Sequence, residues 1–230
     1  MSPLRRIFFS AGLLLALGQA AAQTASSTET TPPVSPEVTA LPVIADAAHD
    51  PVWRDLLAQL APTQTRQARF EERRYFPFRS TPVVLTGEIR IVPDRGLSLH
   101  YLTPRSLVLI ADARGLLMRD EEGRERAAPD DSRTQAATTA LVNVLRFNLP
   151  ELQKSFSLHG RREGERWTLG FEPRDPALAE TVGSLLLSGE DLQLRKIELI
   201  RSARQRIEIL IGETQDNVIF TGDTVRRFFR

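Results

Sequence analysis

VVLTGEIRIVPDRGLSLHYLTPRSLVLIAD, residues 83–112, holds three runs of period-two hydrophobicity, VVLTGEIRIV, GLSLHYL and SLVLIAD, separated only by PDR and TPR. Connections that short join antiparallel neighbours. One parity of the runs collects Val83, Leu85, Ile89 and Ile91, then Leu97, Leu99 and Tyr101, then Leu107 and Leu109, so one face of the sheet is continuously apolar. Something must cover it. If fixed side chains do, the face is an ordinary core; if a movable lid or a ligand does, the protein carries apolar cargo.

Further strands are predicted on both sides of this stretch. TRQARFEERRYF precedes it with Phe70 and Tyr75, and GLLMRDEEGRERAA follows as a hairpin turning at Glu122-Gly123. SFSLHG and RWTLGFE, linked by RREGE, alternate Phe156, Leu158, Trp167, Leu169 and Phe171. VGSLLLS and LQLRKIELI flank a turn at Gly189-Glu190-Asp191, and RIEILIGE returns across Ser202 to Gln205. The apolar parity slips between Leu194 and Ile197, which predicts a bulge near Arg195 and Lys196.

Two helices interrupt the strands. Asp50 is a good N-cap, Pro51 suits the first helical position, and Trp53, Leu56, Leu57 and Leu60 fall at i, i+3, i+4 and i+7, ending near Pro62. Midway, Ser132 to Leu149 places Leu141, Leu145 and Leu149 on one line, with Pro150 at the stop. A short helix or loop is expected at Pro173 to Glu180. The fold class is therefore mainly β with an α lid: about ten antiparallel strands, an N-terminal helix and a mid-chain helical insertion. A sheet of that size tends to curl.

Arg5 and Arg6 precede the apolar run Ile7 to Leu17, which is shorter than the roughly 20 residues of a membrane span, and Ala20-Ala21-Ala22 supplies a signal-peptidase site. Residues 1–22 read as a cleaved signal peptide, 23–49 as a flexible Thr/Ser/Pro-rich linker, and 50–230 as one domain. The expected compartment is the periplasm. There is no cysteine, hence no disulfide, thiol catalyst, cysteine metal site or lipidated cysteine. The 30 basic residues include Arg5 and Arg6 and face 29 acidic ones, so without those two the net charge is −1 and gives no sign of nucleic-acid binding. The runs Arg73-Arg74, Arg161-Arg162 and Arg226-Arg227 read as solvated faces or turns.

The order of pieces, an amphipathic helix, then ARFEERRYF, then GEIRIVPDRGLSLHYLTP, then SLVLIADARGLLMRDEEG, resembles the LolA-like family of outer-membrane lipoprotein carriers in its divergent branch, over Pro51 to about Gly212. The resemblance implies a half-open β-barrel capped by helices, with a cavity that holds acyl chains crossing the periplasm. It also implies an inner-membrane donor and an outer-membrane acceptor. Well-known members latch the lid with an Arg-Pro pair after the second strand; here that stretch is Val92-Pro93-Asp94-Arg95-Gly96, so the role is not carried over to Arg95. Divergent relatives are often encoded beside genes for lipid or polyene-pigment synthesis. The cargo implied is thus a lipoprotein, a glycolipid or a lipidated pigment precursor.

Such a carrier needs a dry concavity and no catalytic group, since burying an acyl chain gains about 0.8 kcal/mol per CH₂. The candidate lining is Phe70, Leu85, Ile89, Ile91, Leu99, Tyr101, Leu109, Trp167 and Phe171, with Leu141, Leu145 and Leu149 from the lid. Neither an enzyme nor a cofactor is expected. His49, His100 and His159 lack metal-ligand spacing, no Gly-x-Ser-x-Gly elbow occurs, and the adjacent pairs Glu71-Glu72, Glu121-Glu122 and Asp130-Asp131 do not converge on one substrate. A monomer is expected. The competing function is a periplasmic protein-binding or sensor domain that uses the same half-barrel and transports nothing.

Overall fold

Period-two alternation with short turns leaves each run little choice but to pair with its neighbour. The computed structural model describes residues 35–61, 64–127 and 132–230. In the first half the strands are β1 (Arg66–Tyr75), β2 (Val83–Val92), β3 (Gly96–Thr103), β4 (Leu107–Asp112), β5 (Gly115–Asp120) and β6 (Glu125–Ala127). In the second half they are β7 (Phe156–Glu163), β8 (Arg166–Pro173), β9 (Ser184–Glu190), β10 (Gln193–Ser202), β11 (Gln205–Ile211) and the short β12 (Gln215–Asp216). They form one antiparallel sheet in the order β6-β5-β4-β3-β2-β1-β11-β10-β9-β8-β7, with β12 added beside β1. The sheet is open, ending at β6 and β7, and it has 12 strands where about ten were expected. Register shifts at Thr86/Gly87, Leu194/Lys196 and Ile200/Ser202 add twist; the second is the bulge read from the parity slip.

Helices α1 (Pro36–Thr39), α2 (Pro51–Leu60), α3 (Ser132–Leu145), α4 (Leu149–Ser155), α5 (Pro176–Val182) and α6 (Gly222–Phe228) complete the fold. In α2 the Asp50 side chain accepts from the Val52 N–H at 3.0 Å, and the buried residues are Trp53, Leu56, Leu57 and Leu60, the stripe read from spacing. The insertion expected as one helix over 132–149 is two, because α3 stops at Leu145 and a new helix opens at Leu149 with Pro150 in its first turn. The segment at 173–180 is α5, capped by Asp175.

Residues 35–49, read from composition as linker, lie against the second half of the sheet. Val38 and Ala47 are fully buried, the Ile44 N–H donates to the Leu158 carbonyl at 2.8 Å, and the Gly160 N–H donates to the Pro42 carbonyl at 2.8 Å. Low hydrophobicity misled that reading, since a few well-placed apolar side chains and a free strand edge at β7 suffice to seat the segment. The expected signal peptide and residues 23–34 lie outside the described residues.

The concave face carries the main core. The opposite face of β4 and β5 is also apolar, with Val108, Ile110 and Leu117 packed against Phe228 and Phe229 at the end of α6. Arg230 clamps that helix down through two hydrogen bonds to the Asp112 carboxylate, at 2.7 and 2.8 Å, and one to the Gly115 carbonyl. His100 faces the same side, its ring 5.0 Å from that of Phe228, while the Arg90 guanidinium lies 3.9 Å from the centre of the Phe228 ring.

Burial lowers the His100 pKa, assisted by the cations Arg90 and Arg227 and opposed by Glu88. The native chain therefore binds this proton less readily than the unfolded chain, whose histidine titrates near pH 6.5, so stability is lost as pH falls below about 6.5. The melting temperature of the wild type should drop more than that of His100→Gln between about pH 7.5 and about pH 5; equal drops would mean that His100 does not contribute.

Candidate functional site

Cross-strand register assembles the concave face in rows. Ile89 pairs with Leu99 and Leu99 with Leu109; Phe70 pairs with Gly87 on one side and Ile211 on the other. Gly87 is required there, because a Cβ would lie 2.7 Å from the Phe70 ring and 2.4 Å from the His100 carbonyl oxygen. With no side chain at 87, the Phe70 ring lies over the strand and meets Tyr101 edge-on at 5.3 Å.

Helix α3 crosses this face and leaves a void of about 20 Å³, whose lining among the described residues is apolar: Phe70, Ile89 and Leu99 from the first half, Leu185, Ile197, Leu199, Ile209 and Ile211 from the second, and Val144 and Leu145 from α3. Space of that size holds about one water. A second void of about 50 Å³ shares Ile89, Leu145 and Ile211 with the first and runs toward Leu192, Gln193 and Leu194. An open cleft of about 430 Å³ between α2 and the α3–α4 junction shares Ile91 and Phe147 with the second void. The three spaces thus form a chain from solvent to the middle of the sheet, interrupted by Phe147 and Leu145.

Phe147 adopts φ 49°, the left-handed region that favours glycine. It ends α3 in a Schellman-type cap, with the Phe147 N–H donating to the Val144 carbonyl and the Asn148 N–H to the Asn143 carbonyl, both at 3.0 Å. A non-glycine residue there costs about 1–2 kcal/mol. Burial of the ring, which meets Trp167 edge-on at 6.3 Å, offsets that cost. Beside it, Arg146 donates to the Pro93 carbonyl at 3.3 Å, tying the end of α3 to the β2–β3 turn. Arg95 donates to the Arg230 carbonyl at 3.3 Å.

A polar cluster is buried on the concave face. Glu72 is fully buried, pairs with Arg74, and accepts from the Tyr101 hydroxyl at 2.6 Å. Reading Arg73-Arg74 as a solvated run therefore fails for Arg74, because alternation turns one of any two adjacent strand residues inward. Burial works against the Arg74 charge, but the Glu72 carboxylate and Tyr101 outweigh it and raise the Arg74 pKa. His159 is also buried, between the Leu41 carbonyl and Glu172. Among the described residues, no group of three or more histidine and carboxylate side chains is placed to hold a metal.

Of the residues singled out by sequence, Phe70, Ile89, Leu99 and Leu145 line the central void, while Ile91 and Leu149 line the spaces leading to it. Leu85, Tyr101, Leu109, Trp167 and Phe171 are buried in the same core without bordering these three spaces. The side chain of Leu141 lies outside the described residues. Missed were Val144, Phe147 and the contribution of β9, β10 and β11. The alternation in SLLLS, KIELI and RIEIL carried the signal for those strands, whereas nothing local marked Phe147.

The family described as outer membrane lipoprotein carrier protein LolA-like matches residues 46–223. No curated protein matches the chain. Among solved structures, the Pseudomonas aeruginosa MucA/MucB complex is similar at 18% identity and a TM-score of 0.46, over 79% of this chain and 60% of that one. The chain thus spans less than two thirds of that relative. A LolA superfamily protein from Nitrosomonas europaea is similar at 8% identity and a TM-score of 0.42, over 75% of this chain and 96% of that one.

If Phe147 is a strained plug held by its ring, both Phe147→Ala and Phe147→Gly should destabilise the fold by about 3 kcal/mol or more. The glycine variant should nonetheless be the more stable of the two by about 1 kcal/mol, because it accepts the left-handed backbone. Urea unfolding of the two variants checks the order.

Proposed function

The chain belongs to the LolA-like family of outer membrane lipoprotein carrier proteins, and from that premise we propose that it is a periplasmic carrier. It takes the acyl chains of a lipoprotein, glycolipid or other lipidated molecule between its concave sheet and α3, receives them at the inner membrane and releases them toward the outer membrane. The observation that carries this reading is the central void, apolar in all of its described lining and roofed by α3.

At about 20 Å³ the void is a closed state, so loading requires α3 to lift. Its described apolar contacts come from Ala140 and Val144, with Val142 and Leu145 half-buried. Re-exposing valine- and leucine-sized side chains costs about 1.5–3 kcal/mol each, whereas an acyl chain of about a dozen methylenes gains on the order of 10 kcal/mol. The two are of the same order, so cargo can offset the lifting of the helix. No catalytic group takes part.

Purification of the native chain followed by solvent extraction and mass spectrometry should yield an acyl compound. A chain that brings down a protein and no acyl compound would favour the protein-binding reading on the same half-barrel. Leu99→Glu places a carboxylate beneath α3, where it reaches water only if the helix lifts. The variant should keep a cooperative thermal transition and lose binding of a fluorescent fatty acid. Failure to fold would make Leu99 part of a fixed core, and unchanged binding would move the cargo elsewhere.

A further inference from the structure

We propose that the end of the sheet formed by the β1–β2, β3–β4 and β10–β11 connections docks on an anionic lipid bilayer. Register brings these connections together, since Arg74 pairs with Val83, Thr86 with Thr103 and Tyr75 with Arg206. At about 4.8 Å per strand, the four spacings from β11 to β4 cover about 19 Å. The connections read FPFRSTP at 76–82, PRS at 104–106 and AR at 203–204, and none contains an acidic residue.

Phe78 is 82% exposed and stacks on Phe76 at 5.4 Å; Leu102, on the neighbouring β3, is 48% exposed. Arg79, Arg105 and Arg204 are exposed and, among the described residues, form no ion pair. The turns at the opposite end of the same sheet are mixed in charge, with Asp94, Glu165, Glu190 and Asp191 beside Arg95 and Arg114. At the docking end, acidic residues flank these three connections on both sides, with Glu121 and Glu122 at the β5–β6 turn and Asp175 and Glu180 in the β8–β9 connection.

An exposed phenylalanine stacked on a half-buried one, flanked by arginines that form no ion pair among the described residues, suits the interfacial region of a bilayer, where rings sit at headgroup level and cations meet lipid phosphates. The chain as a whole is nearly neutral, so attraction comes from this patch and not from overall charge. Docking here leaves the cleft at Arg54 and Arg146 at the far end of the sheet, free for another partner. The proposal stands apart from the cargo reading, because surface binding needs no open cavity.

The test is flotation of the processed chain, purified from expressing cells, with vesicles of equal parts phosphatidylethanolamine and phosphatidylglycerol, and with phosphatidylcholine vesicles as the neutral control. Binding to the anionic vesicles is expected, with loss at about 1 M salt, where the Debye length is about 3 Å. Each arginine replaced by glutamine should weaken binding about fivefold, and the triple variant Arg79→Gln, Arg105→Gln, Arg204→Gln about a hundredfold. Phe78→Ser should weaken it about tenfold. Arg54→Gln, at the far end, should bind as the wild type does. No flotation with the anionic vesicles would overturn the proposal and leave a protein as the occupant of this surface; so would undiminished binding by the triple variant, or an equal loss in Arg54→Gln.

Discussion

The antiparallel pairing of β1 with β11 is the constraint on which the structure stands. Six register pairs, from Phe70↔Ile211 to Tyr75↔Arg206, join the first meander, β1 to β6, to the second, β7 to β11. The entropic cost of closing so long a loop grows only logarithmically with its length, so the seam is affordable for a chain whose two halves each present a bare apolar face. Across it, Phe70 meets Ile209 and Ile211, and α3 finds a floor drawn from both halves. Without the seam there is neither a concavity nor a place for the helix.

The seam also holds a buried ion pair on the concave face. Glu72 stands between Leu85 on β2 and Ile209 on β11, with Arg74 and the Tyr101 hydroxyl as partners. An ion pair in such surroundings adds little net stability, while loss of one partner strands the other at a cost of about 3–5 kcal/mol. A one-residue slip of β1 would turn Glu72 and Arg74 outward and leave the Tyr101 hydroxyl without its carboxylate. The pair therefore penalises wrong register in the strand that joins the two halves.

Helix α3 and the sheet beneath it divide stability from movement. The β4–β5 part of the sheet is braced on its other side as well, by Phe228 and Phe229 and the Arg230–Asp112 clamp. The helix rests on small side chains, ends on a strained phenylalanine and is tied to the β2–β3 turn through Arg146. Elements that open are drawn from the less stable parts of a structure. A rigid floor under a loosely held roof lets an apolar space be closed when empty and enlarged when occupied.

Local pattern alone determined the strands other than β12, the α2 stripe, the bulge before Lys196 and the parity that puts Ile89, Leu99 and Leu109 on one face, because alternation and capping act within a few residues. It was silent or misleading where contacts span the chain. The run RQARFEERRY carries a Glu-x-Arg pair in both parities, and only the neighbours of β1 decided that Glu72 and Arg74 are buried while Glu71 and Arg73 are not. Residues 35–49 look like linker until β7 offers them an edge, and Phe147 looks like an ordinary helical residue until Trp167, 20 positions on, makes its left-handed backbone worth adopting. What the sequence by itself determined is which residues are apolar and with what period; which of them enclose a space, and how large a space, was decided by tertiary packing, since a filled core and a cavity wall share one alternation and differ only in what lies opposite.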